Sequence, residues 1–110
     1  MNEAELPTYA QFAESLNQIF EIQLGNEEFL DITLSEVSEL RESARQERFS
    51  LVFKGPSDTF LPQHLYSMRH KRLGAFEIFL VPVEKEEDVF LYQAVFNRLR
   101  RADSTTESRD

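Results

Sequence analysis

The chain has 110 residues, 41% of them hydrophobic, with ten Phe, no Cys and a formal net charge of −8. Such a chain is long enough to close one core without metal or disulfide staples, and without cysteine it has no disulfide, thiolate nucleophile or Cys-based zinc or iron–sulfur site. The N-terminal MNEAELPTYA is acidic and polar, unlike a secretory signal, and no apolar run approaches the ~20 residues of a membrane helix, so a cytoplasmic protein without membrane contact is expected.

Pro7-Thr8 opens the first predicted element, a helix over about residues 8–18. Thr8 with Gln11 three residues on has the form of a capping box. Tyr9, Phe12, Leu16 and Ile19 then recur as the stripe of an amphipathic helix docked on a sheet. At Phe20 the period drops to two. Phe20, Ile22 and Leu24 alternate with Glu21 and Gln23, predicting a strand over about 19–25. Gly25-Asn26 is a hairpin turn signal. Leu30, Ile32 and Leu34 give a partner strand over 28–37, and the slip in spacing at Val37 and Leu40 marks a bulge or strand end. Ser38 to Glu47 is polar and charged, which fits either a loop or exposed strand ends turning near Ser43-Ala44.

Phe49, Leu51 and Phe53 alternate in a strand over 47–54 that Gly55-Pro56 should stop. Leu65, Tyr66 and Met68 give a strand over 64–70, turning at RHKRLG with Gly74 as the left-handed residue. The next strand, 75–83, is apolar on both faces. It should be covered on both, with the Thr8 helix on its outer side. Pro82 argues for a strand end or edge. EKEED makes a tight connection to a last strand over 89–99, where a helix is the alternative and the Val, Phe and Tyr content favours a strand. The expected architecture is a mainly β domain over 1–101, with one short N-terminal helix. Six antiparallel strands form a near-meander, barrel-like or a two-layer sandwich, followed by a disordered polar tail, 102–110.

Chemistry is harder to find. Ser50, Ser57 and Ser67 lie near His64 and His70 in sequence, yet none sits in a Gly-x-Ser-x-Gly elbow. His64 and His70 match no metal-ligand spacing, although an even separation on a strand would put both on one face. Glu84, Glu86, Glu87 and Asp88 lack the Gly and the alternation of a calcium loop. No enzyme, metal or cofactor is expected. The charge is unevenly laid out: residues 1–47 carry eleven acids and two bases, and residues 48–110 nine acids and ten bases. Arg69, Lys71 and Arg72 form one basic cluster; Arg98, Arg100 and Arg101 form another. In a meander both clusters could share one end of the sheet, next to Tyr66 and Phe96. A net charge of −8 speaks against nucleic acid, and contact with an acidic surface of this or another chain uses the same charges.

Phe53, Gly55 and Pro56, then Leu61-Pro62-Gln63, Tyr66, Leu73-Gly74, Phe79 to Pro82 and Ala94 to Asn97 resemble the pattern of a family of small uncharacterised bacterial β-domain proteins. Phe12 to Phe20 fits the same pattern more loosely, and His64 stands where the family has a small residue. The resemblance implies genes lying beside those of phage-tail-collar-like fibre proteins, and hence an assembly, chaperone or adaptor role. Gln63 and Asn97, polar residues in otherwise structural motifs, are expected to bond backbone across the sheet.

The expected function is therefore a non-enzymatic protein-interaction domain that binds a protein partner or itself. Its candidate contacts are Phe60, Leu61, Gln63, His64, Arg69, Lys71, Arg72, Arg98, Arg100 and Arg101. A small barrel holding an apolar ligand among its Phe residues is the alternative; a nucleic-acid-binding barrel or a hydrolase ranks below both.

Overall fold

The computed structural model describes residues 6–25 and 27–99. Arg100, Arg101, the tail at 102–110 and Asn26 of the first turn lie outside them. One helix, α1 (Tyr9–Glu14), precedes seven strands: β1 (Ile19–Gln23), β2 (Phe29–Val37), β3 (Arg41–Glu42), β4 (Gln46–Pro56), β5 (His64–His70), β6 (Gly74–Glu86) and β7 (Val89–Leu99). Six of these close an antiparallel barrel in the order β1-β2-β4-β7-β6-β5 and back to β1, while β3 adds to the open edge of β4. The mainly β barrel with a single short helix is thus as the alternation predicts.

One connection departs from a simple meander. The segment between Pro56 and His64 crosses the end of the barrel, so β5 pairs with β1 and not with its predecessor β4, which pairs with β7 instead. Sequence alternation sets which face a residue takes, but not which strand lies beside it.

Two strands change partner along their length and make the corners. β2 pairs with β1 from Phe29 to Thr33 and with β4 from Thr33 to Val37, with a register shift between Leu34 and Glu36. β6 pairs with β5 from Gly74 to Leu80 and with β7 from Val81 to Glu86, with a shift between Pro82 and Glu84. A bulge bends its strand and increases local twist, which lets one strand serve two directions of the barrel. Pro82 therefore lies inside β6, at the corner, and not at a strand end. Likewise β4 runs on through Gly55 and Pro56, where a stop is expected. A Cβ at Gly55 would stand 3.1 Å from the Tyr92 ring and 3.2 Å from Ile32, so a glycine lets the two interior side chains close over the strand. Gly74 takes the left-handed conformation the turn requires, φ +83°.

Both barrel ends are plugged. At one, α1 starts with the capping box the sequence announces, Thr8 and Gln11 bonding each other's backbone N–H. The helix ends at Glu14, because Asn17 turns left-handed (φ 71°) and donates its N–H to the Leu34 carbonyl, entering the sheet. Leu16 and Ile19 are consequently exposed, although the helical stripe predicts them buried. Nor does α1 cover the outer side of β6. It caps the barrel end instead, inserting Phe12 among Phe20, Phe49, Phe76 and Phe96 at ring separations of 5.4–6.4 Å. At the other end the 57–63 connection lays Leu61 into the core, its N–H donated to the buried Tyr92 hydroxyl at 3.0 Å. Burial pushes the Tyr92 and Tyr66 phenols above their usual pKa range, so both are neutral hydrogen-bonding groups at physiological pH. Between the plugs Ile22, Ile32, Leu34, Leu51, Phe53, Met68, Ile78 and Leu80 fill the interior.

Candidate functional site

With the interior filled, the distinctive chemistry lies outside, and it falls in three places. The first is the loop at the far end. Phe60 is exposed and leans edge-on against Phe90 at 5.2 Å. Leu61, expected as a contact, is buried and serves the plug. Gln63 is exposed, and His64 rests edge-on against Tyr66 at 5.2 Å. Neither Gln63 nor Asn97 makes the expected bond to backbone among the described residues: both side chains face solvent.

The second place is the outer face of the β5–β6 hairpin. Leu65 and Phe79 are direct cross-strand partners and both point outward, 51% and 47% exposed. Away from the hairpin, Val83 at the β6 corner and Val95 on β7 are also exposed, 50% and 62%. The outer face of the hairpin is the one that sequence reasoning assigns to the helix. The double-sided apolar pattern of β6 was the available signal, and nothing among the described residues covers it.

The third place is the helix-capped end, where the structure puts Arg69, Lys71 and Arg72 and, of the second basic cluster, Arg98; Arg100 and Arg101 lie outside the described residues. Arg98 donates to Glu47 and to the Pro7 carbonyl, each at 3.0 Å, with its guanidinium over the Phe49 and Phe96 rings. It is a structural tie between β7, β4 and the start of α1. Tyr66, expected beside these clusters, points inward toward the opposite end, its hydroxyl bonded to the Pro62 carbonyl. Around the β5–β6 turn, Asn17, Gln18, Glu21, Asp31, Arg69, Lys71 and Arg72 border an open cleft of about 710 Å³ with His70 at its floor.

The His70 ring is buried and packs, tilted by 38°, 4.5 Å from the Phe20 ring. Its Nδ1 accepts the backbone N–H of both Arg72 and Leu73, at 3.1 and 3.2 Å, so the proton is on Nε2. That Nε2–H donates to Gln18 Oε1 at 2.8 Å. Burial, then the charges of Arg72 and Lys71, hold the imidazole below its ordinary pKa, which keeps this neutral arrangement. Outside, Arg69 pairs with Glu21 and lies over the Phe29 ring at 3.8 Å. Arg72 reaches Ser15 Oγ only at 3.4 Å, and Lys71 has no partner among the described residues. Sequence reasoning finds the basic cluster with His70 inside it, but neither Asn17 and Gln18 as its neighbours nor the bonds that His70 makes beneath it. Gln18 and His70 lie 52 residues apart, and only barrel closure joins them.

His64 and His70 occupy opposite ends of β5, and no group of three or more metal-ligating side chains is gathered among the described residues. No helix among them is long and apolar enough to cross a membrane.

Fold and surface together define a small closed antiparallel β-barrel, plugged at both ends, whose unusual side chains face outward. The chain belongs to the family described as a domain of unknown function, DUF6916, whose profile matches residues 7–96. No curated protein and no solved structure gives a significant match.

Proposed function

We propose that this barrel is a non-enzymatic protein-interaction domain, an accessory or assembly partner of a larger, fibre-like protein. The observation that carries the reading is the outward Leu65–Phe79 cross-strand pair, two large apolar side chains about half exposed. Soluble domains seldom leave contiguous large apolar side chains on a regular sheet face unless another surface covers them. The groups best suited to chemistry, His70 and Gln18, are committed to each other and to the turn backbone. The fibre-like character of the partner comes from the resemblance carried by Phe53 to Pro56, Leu61 to Gln63 and Ala94 to Asn97.

The test is a photo-crosslinker, p-benzoylphenylalanine, placed at Phe79 and, as a control, at the exposed Lys54 on β4. In the native host, position 79 should capture one larger protein that position 54 does not. Identical adducts at the two positions, or none at 79, would overturn the proposal.

A further inference from the structure

We propose that the cleft beside the β5–β6 turn binds a carboxylate of an acidic segment of the partner protein, held by Lys71, Arg72 and the side-chain amide of Gln18. This deepens the protein-interaction reading and rests on it.

The donors are arranged by the bonds beneath them. His70 gives its Nε2–H to Gln18 Oε1, which uses the amide oxygen from inside and leaves the amide N–H₂ to face outward. The same ring accepts the N–H of Arg72 and Leu73, which curls the turn and carries Lys71 and Arg72 onto the cleft wall. Neither Gln18 Nε2 nor Lys71 Nζ has a partner among the described residues, and the Arg72 guanidinium has only the long contact to Ser15. Three donor groups thus border one open depression, and the contact of Arg72 with Ser15 is the one acceptor they have among the described residues.

Charge selects the ligand. Arg69 is neutralised by Glu21. That leaves Lys71 and Arg72 against Asp31, one excess positive charge on the cleft lining. A carboxylate carries one negative charge, whereas a phosphate group carries about 1.5 to 2 at pH 7 and would meet Asp31 at the rim. The cleft is open, which suits a side chain on a chain passing over it better than an enclosed small molecule.

Position supplies a ruler. Leu65 and Arg69 point to the same outer face of β5, four residues apart, and a strand rises about 3.3 Å per residue. An extended partner segment whose apolar side chain sits on Leu65 and Phe79 therefore brings a carboxylate over the cleft about four residues further on.

The probe is the peptide acetyl-Phe-Ser-Gly-Ser-Glu-amide, titrated into ¹⁵N-labelled protein beside its Gln counterpart and inorganic phosphate. Saturable shifts are expected at the Gln18 side-chain amide and the Lys71 and Arg72 backbone. Affinity should fall about tenfold for the Gln peptide, the loss of one charge-assisted contact. A Lys71→Ser, Arg72→Ser double variant should lose the difference between the two peptides. Both changes are at exposed turn positions and keep the backbone N–H that His70 accepts, and an unchanged spectrum elsewhere verifies the fold. Equal binding of the two peptides, no saturable shift, or phosphate binding the cleft more tightly than the Glu peptide would each overturn the inference. The crosslink at Phe79 reports on the docking face and the Glu-to-Gln difference on the cleft, so either can fail alone.

Discussion

His70 ties stability to pH through a single proton. In the folded chain its Nδ1 accepts two backbone N–H groups, and protonation there would replace both bonds with repulsion. The groups facing it are Glu21 from β1, Asp31 from β2, Arg69 on β5 and Lys71 and Arg72 in the turn, and burial with the latter two cations lowers its pKa below the usual 6.5. A group whose folded pKa is depressed contributes stability above the unfolded value, and that contribution falls away as pH drops toward the folded value. The melting temperature should therefore be level above pH 6.5 and decline below it, before the carboxylates titrate. His70→Asn, which keeps an acceptor for the turn but cannot take the proton, should melt lower at pH 7 and lose that decline; a decline that survives in the variant would place its origin elsewhere. Gly55 makes a different residue-scale demand. With Tyr92 and Ile32 buried in the core at 3.1 and 3.2 Å, the methyl of Gly55→Ala must push one of them aside by a few tenths of an ångström. The expected cost is about 1–3 kcal/mol, read as a lower urea midpoint at unchanged slope.

The elements show how far local pattern reaches. A helix of six residues is too short to persist on its own, so α1 depends on its cap and on what it packs against. Thr8→Ala should cost about 1 kcal/mol through the cap, and Phe12→Ala about 3–5 kcal/mol because it empties the centre of an aromatic cluster; urea melts that show the two costs equal would mean the helix is held by propensity and not by the plug. The cap was legible because Thr8 and Gln11 are three residues apart. So were the strands, since Phe20, Ile22 and Leu24, then Phe49, Leu51 and Phe53, then Tyr66 and Met68 recur at every second position. Where α1 stops was not legible: Leu16 and Ile19 continue the helical spacing, and only the bond from Asn17 to Leu34, across the chain, ends it. The covering of β6 was misplaced for a related reason. Two apolar faces suggest two covers, but among the described residues only the inner face of β6 has one, and Phe79 on the outer face stays 47% exposed. The basic cleft was half legible, its cations and the His70 imidazole adjacent in sequence and its amides, Asn17 and Gln18, brought in only when the barrel closes.

For the molecule as a whole, closure is uneven around the ring. β4 and β7 pair along all eleven residues of each, from Gln46 with Leu99 to Pro56 with Val89. β1 and β5 meet only at Glu21 with Arg69 and Ile22 with Met68. That short seam is spanned twice by neighbouring residues of β5. Arg69 crosses it on the outside to Glu21 and onto Phe29, and His70 crosses it at the helix-capped end to Gln18. An exposed ion pair contributes only about 0.2–1 kcal/mol, so the clamp cannot set global stability, but it is large enough to set how often a weak seam opens. Regions with few paired backbone groups open locally while the rest of the fold stays closed. Native-state hydrogen exchange should therefore release the β1 and β5 amides around Ile22 and Met68 first and those of Leu51, Phe53, Tyr92 and Ala94 last. Arg69→Ser should speed the first set several-fold and leave the second unchanged. If both sets speeded up together, the barrel would be opening as one cooperative unit, and the seam would have no role of its own.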